Sequence, residues 1–383
     1  MQTIGLLLPS STFYETIGFD LYEGLRSGLL QLGRDDIKIK TENIGFGADK
    51  QQCYRSAEKL LLEDNASIVI AYIGHKTAQL LRPLFLAANK ILIVLDSGAH
   101  LSQEYSSSPN IIYHSLHNAL GAWFTAQLAI KEGYTSAGTV TGYYDGGYLQ
   151  TLSIFNGFEN AGGTIVYNHA TGYKEDDFDL LPLKEQYNKN PNSAFLTLFS
   201  GDFVQWYFRD IKKVFIEVQP AIYLTPFALD EMMLENAIYP CDNVKGIAAW
   251  SKKLDNLENK NFIKAIETAN KTPNLFSLLA WESATLAIKI INYIDEDKNN
   301  SKKITTLLQN FEFESPRGTI QFHSDTNTTL SPLYEASIIK NENGNCNLRI
   351  DKKIENTLID FEILTSQLLD NVTSAWHNSY TCI

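Results

Sequence analysis

The sequence predicts an α/β protein built from two sheets in tandem. Three observations carry that expectation: short unbroken apolar runs recur along the chain, a Gly, Ser or Pro-rich turn follows each of them, and an amphipathic helical stretch comes next. The runs are IGLLLP (Ile4 to Pro9), SIVIAYIG (Ser67 to Gly74), ILIVLD (Ile91 to Asp96), SAGTVTG (Ser136 to Gly142), SAFLTLFS (Ser193 to Ser200) and AIYLTP (Ala221 to Pro226). Strands covered on both faces in a parallel sheet read as continuous Val/Ile/Leu segments rather than alternating ones. Ligands of such sheets lie at the carboxyl ends of the strands, so the turns after these runs are where function is sought.

In order, the first series reads as strand 4–9, helix 17–32, strand 37–44, helix 50–63, strand 67–73, helix 77–88 and strand 91–95. A polar loop, Ser102 to Asn110, precedes strand IIYHS and a helix from Asn118 to Lys131. The second series runs strand 136–141, helix 147–161, strand 164–170, helix 180–188, strand 194–199, helix 201–218, strand 221–225 and strand 244–250. A long helix, Phe276 to Ile294, repeats apolar residues on a helical period. GTIQFH (Gly318 to His323) and EASIIK (Glu335 to Lys340) read as strands, and a last helix starts near Glu355. With no flexible linker between the halves, several chain crossings are expected to form a hinge that permits opening and closing.

At 383 residues the chain exceeds one comfortable core, which favours two domains. Its 44 acidic residues against 32 Lys and Arg give a net charge of -12, spread along the chain, which argues against nucleic acid or an anionic membrane as partner. No unbroken apolar run has the roughly 18 residues of a membrane span. Met1, Gln2 and Thr3 lead straight into the first strand without a basic leader, so the expectation is either a cytoplasmic protein or a mature form given a start Met. Cys53, Cys241, Cys346 and Cys382 are far apart and without metal spacing, which suits buried free thiols.

GFGADK (Gly45 to Lys50) has Lys50 where a dinucleotide fingerprint needs its third Gly, and GHKT (Gly74 to Thr77) lacks the earlier Gly of a P-loop. His114 and His117 are three apart with no third ligand in view, so ordinary polar residues at a strand end are the plainer reading. No nucleophile elbow or zinc-protease motif occurs, and neither catalytic residues nor a metal or cofactor are expected. What remains are strand-end turns suited to a small polar molecule. Lys76 and Thr77 open a helix after a buried strand, where backbone N–H groups would meet a carboxylate; Thr77 as a simple N-cap uses the same geometry, and both readings stand. Ser97, Gly98, Ala99 and His100 offer close backbone approach, Phe13 and Tyr14 could wall the cleft, and Tyr143, Asp145 and Asp202 face from the second half, where surface tyrosines are the plainer alternative.

The opening strand with its Pro-Ser turn, the order of later units, the Gly74 to Ala78 and Ser97 to Ala99 turns and the long helix at Trp281 together resemble the type I periplasmic solute-binding proteins, specifically the leucine/isoleucine/valine-binding family. The resemblance covers nearly the whole chain. It implies two Rossmann-like lobes with parallel sheets joined by three crossovers: 1–117 with 251–330, and 118–250 with 331–383. It further implies a non-enzymatic, monomeric protein, periplasmic or lipid-anchored outside the inner membrane, that closes on a small ligand and delivers it to an ABC-type permease. A sensing module of the same fold is the alternative.

By the same resemblance the loop ending in His75, Lys76 and Thr77 and the turn Ser97 to His100 hold a ligand carboxylate. Asn118 and Phe227 stand where the family places carboxylates for an ammonium, and Gly47 and Gly74 fall near its cysteine pair. Branched-chain amino acids are therefore expected to bind poorly, and a ligand with a carboxylate end and an aromatic or uncharged remainder to suit the site, since a buried unpaired ammonium is costly.

Overall fold

The computed structural model describes residues 2–100, 108–234, 243–340, 346–355, 357–367 and 381. The first series is β1 (Thr3–Leu8), α1 (Ile17–Gln31), β2 (Lys38–Asn43), α2 (Lys50–Leu62), β3 (Ile68–Tyr72), α3 (His75–Ala88), β4 (Ile91–Asp96) and β5 (Ile111–Ser115). The second is α4 (Asn118–Lys131), β6 (Ser136–Thr141), α5 (Gln150–Asn160), β7 (Thr164–Ala170), α6 (Leu181–Lys189), β8 (Ala194–Leu198), α7 (Asp202–Val214), β9 (Ile222–Leu224), α8 (Glu231–Leu234) and β10 (Val244–Ala248). Then follow α9 (Leu257–Thr268), α10 (Leu275–Glu296), α11 (Ile304–Leu307), β11 (Glu312–Ser315), β12 (Gly318–His323), β13 (Thr328–Leu330), β14 (Leu333–Lys340), β15 (Cys346–Ile354) and α12 (Thr357–Ser366).

These strands form two sheets, ordered β11-β12-β13-β5-β4-β3-β1-β2 and β15-β14-β10-β9-β8-β6-β7. Two α/β lobes are therefore present, as expected, but the sheets are mixed rather than parallel throughout. β11, β12 and β13 pair antiparallel at one edge, and β14 and β15 pair antiparallel beside β10. The expected pattern holds in the middle, where β3 and β4 are buried at every residue. It missed β11, β13, β15 and α9. β15 reads CNLRIDKKI, a charged edge strand with one covered face, and such strands lack the apolar run that marks a central one.

Helix α10 is long and apolar enough to cross a membrane, contrary to the absence expected from its interrupted apolar run, but it lies inside the protein. An Asn274 and Ser277 capping box starts it. It packs on α1 so closely that a Cβ at Gly28 would stand 2.8 Å from the Trp281 carbonyl oxygen, and glycine there is what lets the two helices meet. Cys53 and Cys346 are buried free thiols; Cys241 and Cys382 lie outside the described residues.

The chain passes between the sheets after β5, after β10 and between β13 and β14. A buried ion pair joins these passages. Arg317, in the β11–β12 turn, donates to both carboxylate oxygens of Glu282 on α10, at 3.0 and 2.7 Å, and both side chains are wholly buried. Arg317 also donates to the Ser115 carbonyl at 3.0 Å and to the Ser331 hydroxyl at 2.8 Å, touching the first and third passages. The second passage is held by Asn259, which accepts from the Trp250 indole and donates to the carbonyls of Ser251 and Leu254. His114 and His117, read as ordinary polar residues at a strand end, do lie at the end of β5 and are buried in this network: the first meets Glu282 and Thr329, the second donates to the Thr329 carbonyl. Burial disfavours the charged form of His117 and holds its pKa down at about 4, so it is a neutral donor.

Removing one partner of a buried pair leaves the other charge uncompensated, at a cost of roughly 3 to 5 kcal/mol. Arg317→Met and Glu282→Gln are each expected to lower the stability of the folded protein by about that much in urea unfolding. A loss below 1 kcal/mol for both would show that the passages are held by packing alone.

Candidate functional site

In each sheet the strand order reverses where successive units are wound in opposite directions, at β1/β3 in the first and β6/β8 in the second. Crevices outside the carboxyl ends of strands at such points are where open α/β sheets bind ligands. The loop after β1 and the loops after β6, β7 and β8 face each other across the lobes there, and they enclose a cavity of about 170 Å³. Thr12, Phe13 and Tyr14 line it from the first lobe. From the second come Tyr144 and Tyr173, then Ser200 to Phe203 and Trp206 at the start of α7. A cavity of about 150 Å³ admits a benzene-sized molecule.

The rings brace one another. Phe13 and Tyr14 meet edge-on at 4.8 Å between centroids, Tyr144 and Phe203 at 5.8 Å, and Phe203 and Trp206 are 4.9 Å apart. Phe13 reaches across to the second lobe, where a Cβ at Gly201 would lie 3.3 Å from its ring. The lobes are thus in contact around the cavity.

Two carboxyls belong to this region. Asp202 lines the cavity in the first turn of α7; burial raises its pKa, and the negative charge of Glu175 adds to the shift. Asp145 lies behind the wall with no exposed surface, accepting from the Ser200 hydroxyl at 3.0 Å and the Gln150 amide at 3.4 Å. Burial pushes its pKa up to about 7, and the hydrogen bonds from Ser200 and Gln150 only partly oppose it. Ser200 thus joins the cavity lining to the buried carboxyl behind it.

The predicted site residues divide. Phe13 and Asp202 line the cavity, and Asp145 backs it. Tyr143 does not line it; half exposed, it packs against Tyr144 and Tyr173, which do. Tyr144 falls in the strand-end turn that holds Tyr143 and Asp145, while sequence reasoning misses Tyr173, Phe203 and Trp206; Tyr173 and Phe203 carry one signal, lying three and five residues after the ends of β7 and β8.

The other predicted residues lie off the cavity. His75 pairs with Asp96 at 3.0 Å and stacks on Tyr113 at 4.7 Å, beside Gly98, His100 and His117 around a space of about 10 Å³, the size of one water. Burial would raise the Asp96 pKa, but His75 outweighs it and holds the carboxyl below its ordinary value. Thr77 lies in the third position of α3, which Gly74 caps, and its hydroxyl donates to the Gly47 carbonyl at 3.1 Å. Lys76 stands beside it in the first turn of α3, away from the cavity lining. Ser97 and Gly98 accept through their carbonyls from the backbone of Asn118 and Ala119, and the Ala99 carbonyl accepts from the Gln150 N–H. Asn118 is buried at the start of α4 with neither amide atom hydrogen-bonded. Phe227 is a core residue, 1% exposed.

The family model described as periplasmic binding protein matches residues 2–344. No curated protein matches the chain. Among solved structures, an ABC transporter substrate-binding protein from Sphaerobacter thermophilus superimposes with a TM-score of 0.80 at 17% identity, covering 92% of this chain and 97% of its own. A solute-binding protein of an ABC transporter from R. palustris in complex with 4-hydroxybenzoate gives 0.77 at 17% identity, covering 93% and 97%. A branched-chain amino acid ABC transporter periplasmic ligand-binding protein from Burkholderia xenovorans gives 0.73 at 12% identity, covering 92% and 95%. At these identities the likeness is one of fold.

Two outcomes follow from the geometry. Asp145 has a folded pKa near 7 against an ordinary 3.8, so the folded state binds the extra proton. The contribution of Asp145 to stability is therefore fullest below about pH 4 and is lost as pH rises through about 7, by a few kcal/mol in order of magnitude. Asp145→Asn is expected to flatten that part of the pH–stability curve; an unchanged slope would place an ordinary carboxylate there. Gly98 has a φ of +71°, and a Cβ on it would stand 2.6 Å from the His117 nitrogen. Gly98→Val is therefore expected to destabilise the fold, contrary to a purely local loss of binding, which a wild-type melting temperature would reveal.

Proposed function

The chain belongs to the periplasmic binding protein family, and from that premise we propose that it captures a small organic solute with a flat or compact apolar body between its two lobes and delivers it to an ABC-type permease. The cavity walled by Phe13, Tyr144, Phe203 and Trp206 carries this reading: it lies between the lobes, has room for about one ring, and draws its walls from both of them. We assign the lobes as 1–117 with 251–330 and 118–250 with 331–383, closing about the Arg317 hinge. Closure makes contacts available only in one state, and that differential affinity is what shifts the population toward it. In this reading the protein binds without turning its ligand over, works as a monomer, and acts outside the cytoplasmic membrane, free or lipid-anchored.

The structure gives Thr77 a partner in Gly47, which weakens the expectation of a carboxylate held there. The solutes bound by similar proteins, benzoate and 4-hydroxybenzoate among them, are one-ring aromatic carboxylates, and their size matches the cavity. The reading predicts that Trp206→Leu and Phe13→Ala each weaken capture about tenfold while the protein stays folded, because a ring contact supplies about 0.5 to 1.5 kcal/mol beyond the apolar area it buries. Mass spectrometry of small molecules released by denaturing the wild-type and variant proteins measures this. Equal ligand occupancy and affinity in both variants would refute the cavity as the site.

A further inference from the structure

We propose that the solute is a small organic cation, a substituted ammonium held in an aromatic cage; this rests on reading the interlobe cavity as the solute site. The ring faces of Phe13, Tyr144, Tyr173, Phe203 and Trp206 carry partial negative charge, and a cation within about 6 Å of such a face is attracted to it. The protein supplies its own instance at the rim, where the Lys174 ammonium lies 5.0 Å from the Tyr173 ring centre.

The charge of the site agrees with its shape. Among the described residues the lining holds no Lys, Arg or His, and its one carboxyl is Asp202. The rim segment 174–179 carries Glu175, Asp176, Asp177 and Asp179 against the single Lys174. The nearest cation of α7, Arg209, is engaged by Glu175 and Asp210. One feature favours an anion, the positive end of α7, and Asp202 in the first helical turn answers it. An anionic solute would lie beside Asp202 with only the Lys174 ammonium at the rim, already over the Tyr173 ring, to answer it, whereas a cation gains the carboxylate, the other rings and attraction by the acidic rim.

The test measures binding to the full chain by calorimetry and Trp fluorescence with tetramethylammonium, choline and phenethylamine. The uncharged choline isostere 3,3-dimethylbutanol, benzoate and 4-hydroxybenzoate are run beside them. At least one cation is expected to bind, choline about tenfold or more tightly than its neutral isostere, with Asp202→Asn and Tyr144→Leu each weakening the cations by about tenfold. Asp202→Asn is also expected to narrow the gap between choline and the isostere, which a merely structural role would leave unchanged. If benzoate or 4-hydroxybenzoate binds and is lost in Trp206→Leu while the cations do not bind, the charge class is overturned and the cavity reading survives. If none of the cations binds, the inference is likewise overturned. If a solute binds with equal affinity to wild type, Phe13→Ala and Trp206→Leu, the cavity reading falls with it.

Discussion

The buried pair of Arg317 and Glu282 is the constraint on which the architecture turns. A guanidinium without exposed surface needs nearly all of its N–H groups answered, and here the answers come from α10, from the end of β5 and from the link between β13 and β14. Burial alone would raise the Glu282 pKa, yet Arg317 and His114 overcome it and hold the carboxylate at about 2, so the pair stays charged across the physiological range. Such a pair contributes little net stability compared with apolar groups of the same shape, but it is costly to break. Its effect is to fix the three passages against one another.

With the passages fixed, the position of the cavity follows from sheet order. Both strand reversals open on the same side, so the loop after β1 and the loops after β6 to β8 are brought face to face. Short loops and mutually packed rings keep the walls in place before any solute arrives, which spares the ordering entropy that flexible walls would lose. Away from the cavity lining, His75 pairs with Asp96, and the Ala99 carbonyl accepts from the Gln150 N–H.

Polarity is distributed unevenly about the cavity. Asp145 is hidden, and burial raises its pKa to about 7, while Asp202 is exposed and lines the cavity. Ser200 lines the cavity too and donates to Asp145. Among the described residues the lining holds one carboxyl and no Lys, Arg or His.

The sequence by itself determined the alternation of buried strands and helices, hence the two α/β lobes, because strands covered on both faces must be written as unbroken apolar runs. It also pointed to Phe13, Asp145 and Asp202, because ligands of such sheets meet the strand ends. It did not determine the antiparallel edges, where β11, β13 and β15 are short or charged and resemble loops. Nor did it distinguish Tyr143 from Tyr144, or show that Thr77 spends its hydroxyl on Gly47 and that His114 and His117 are buried. Those outcomes depend on which distant segment supplies each partner: Gly47 for Thr77, Glu282 for His114, Thr329 for His117. Such partners lie tens to hundreds of residues away, and only the closed tertiary packing decides them.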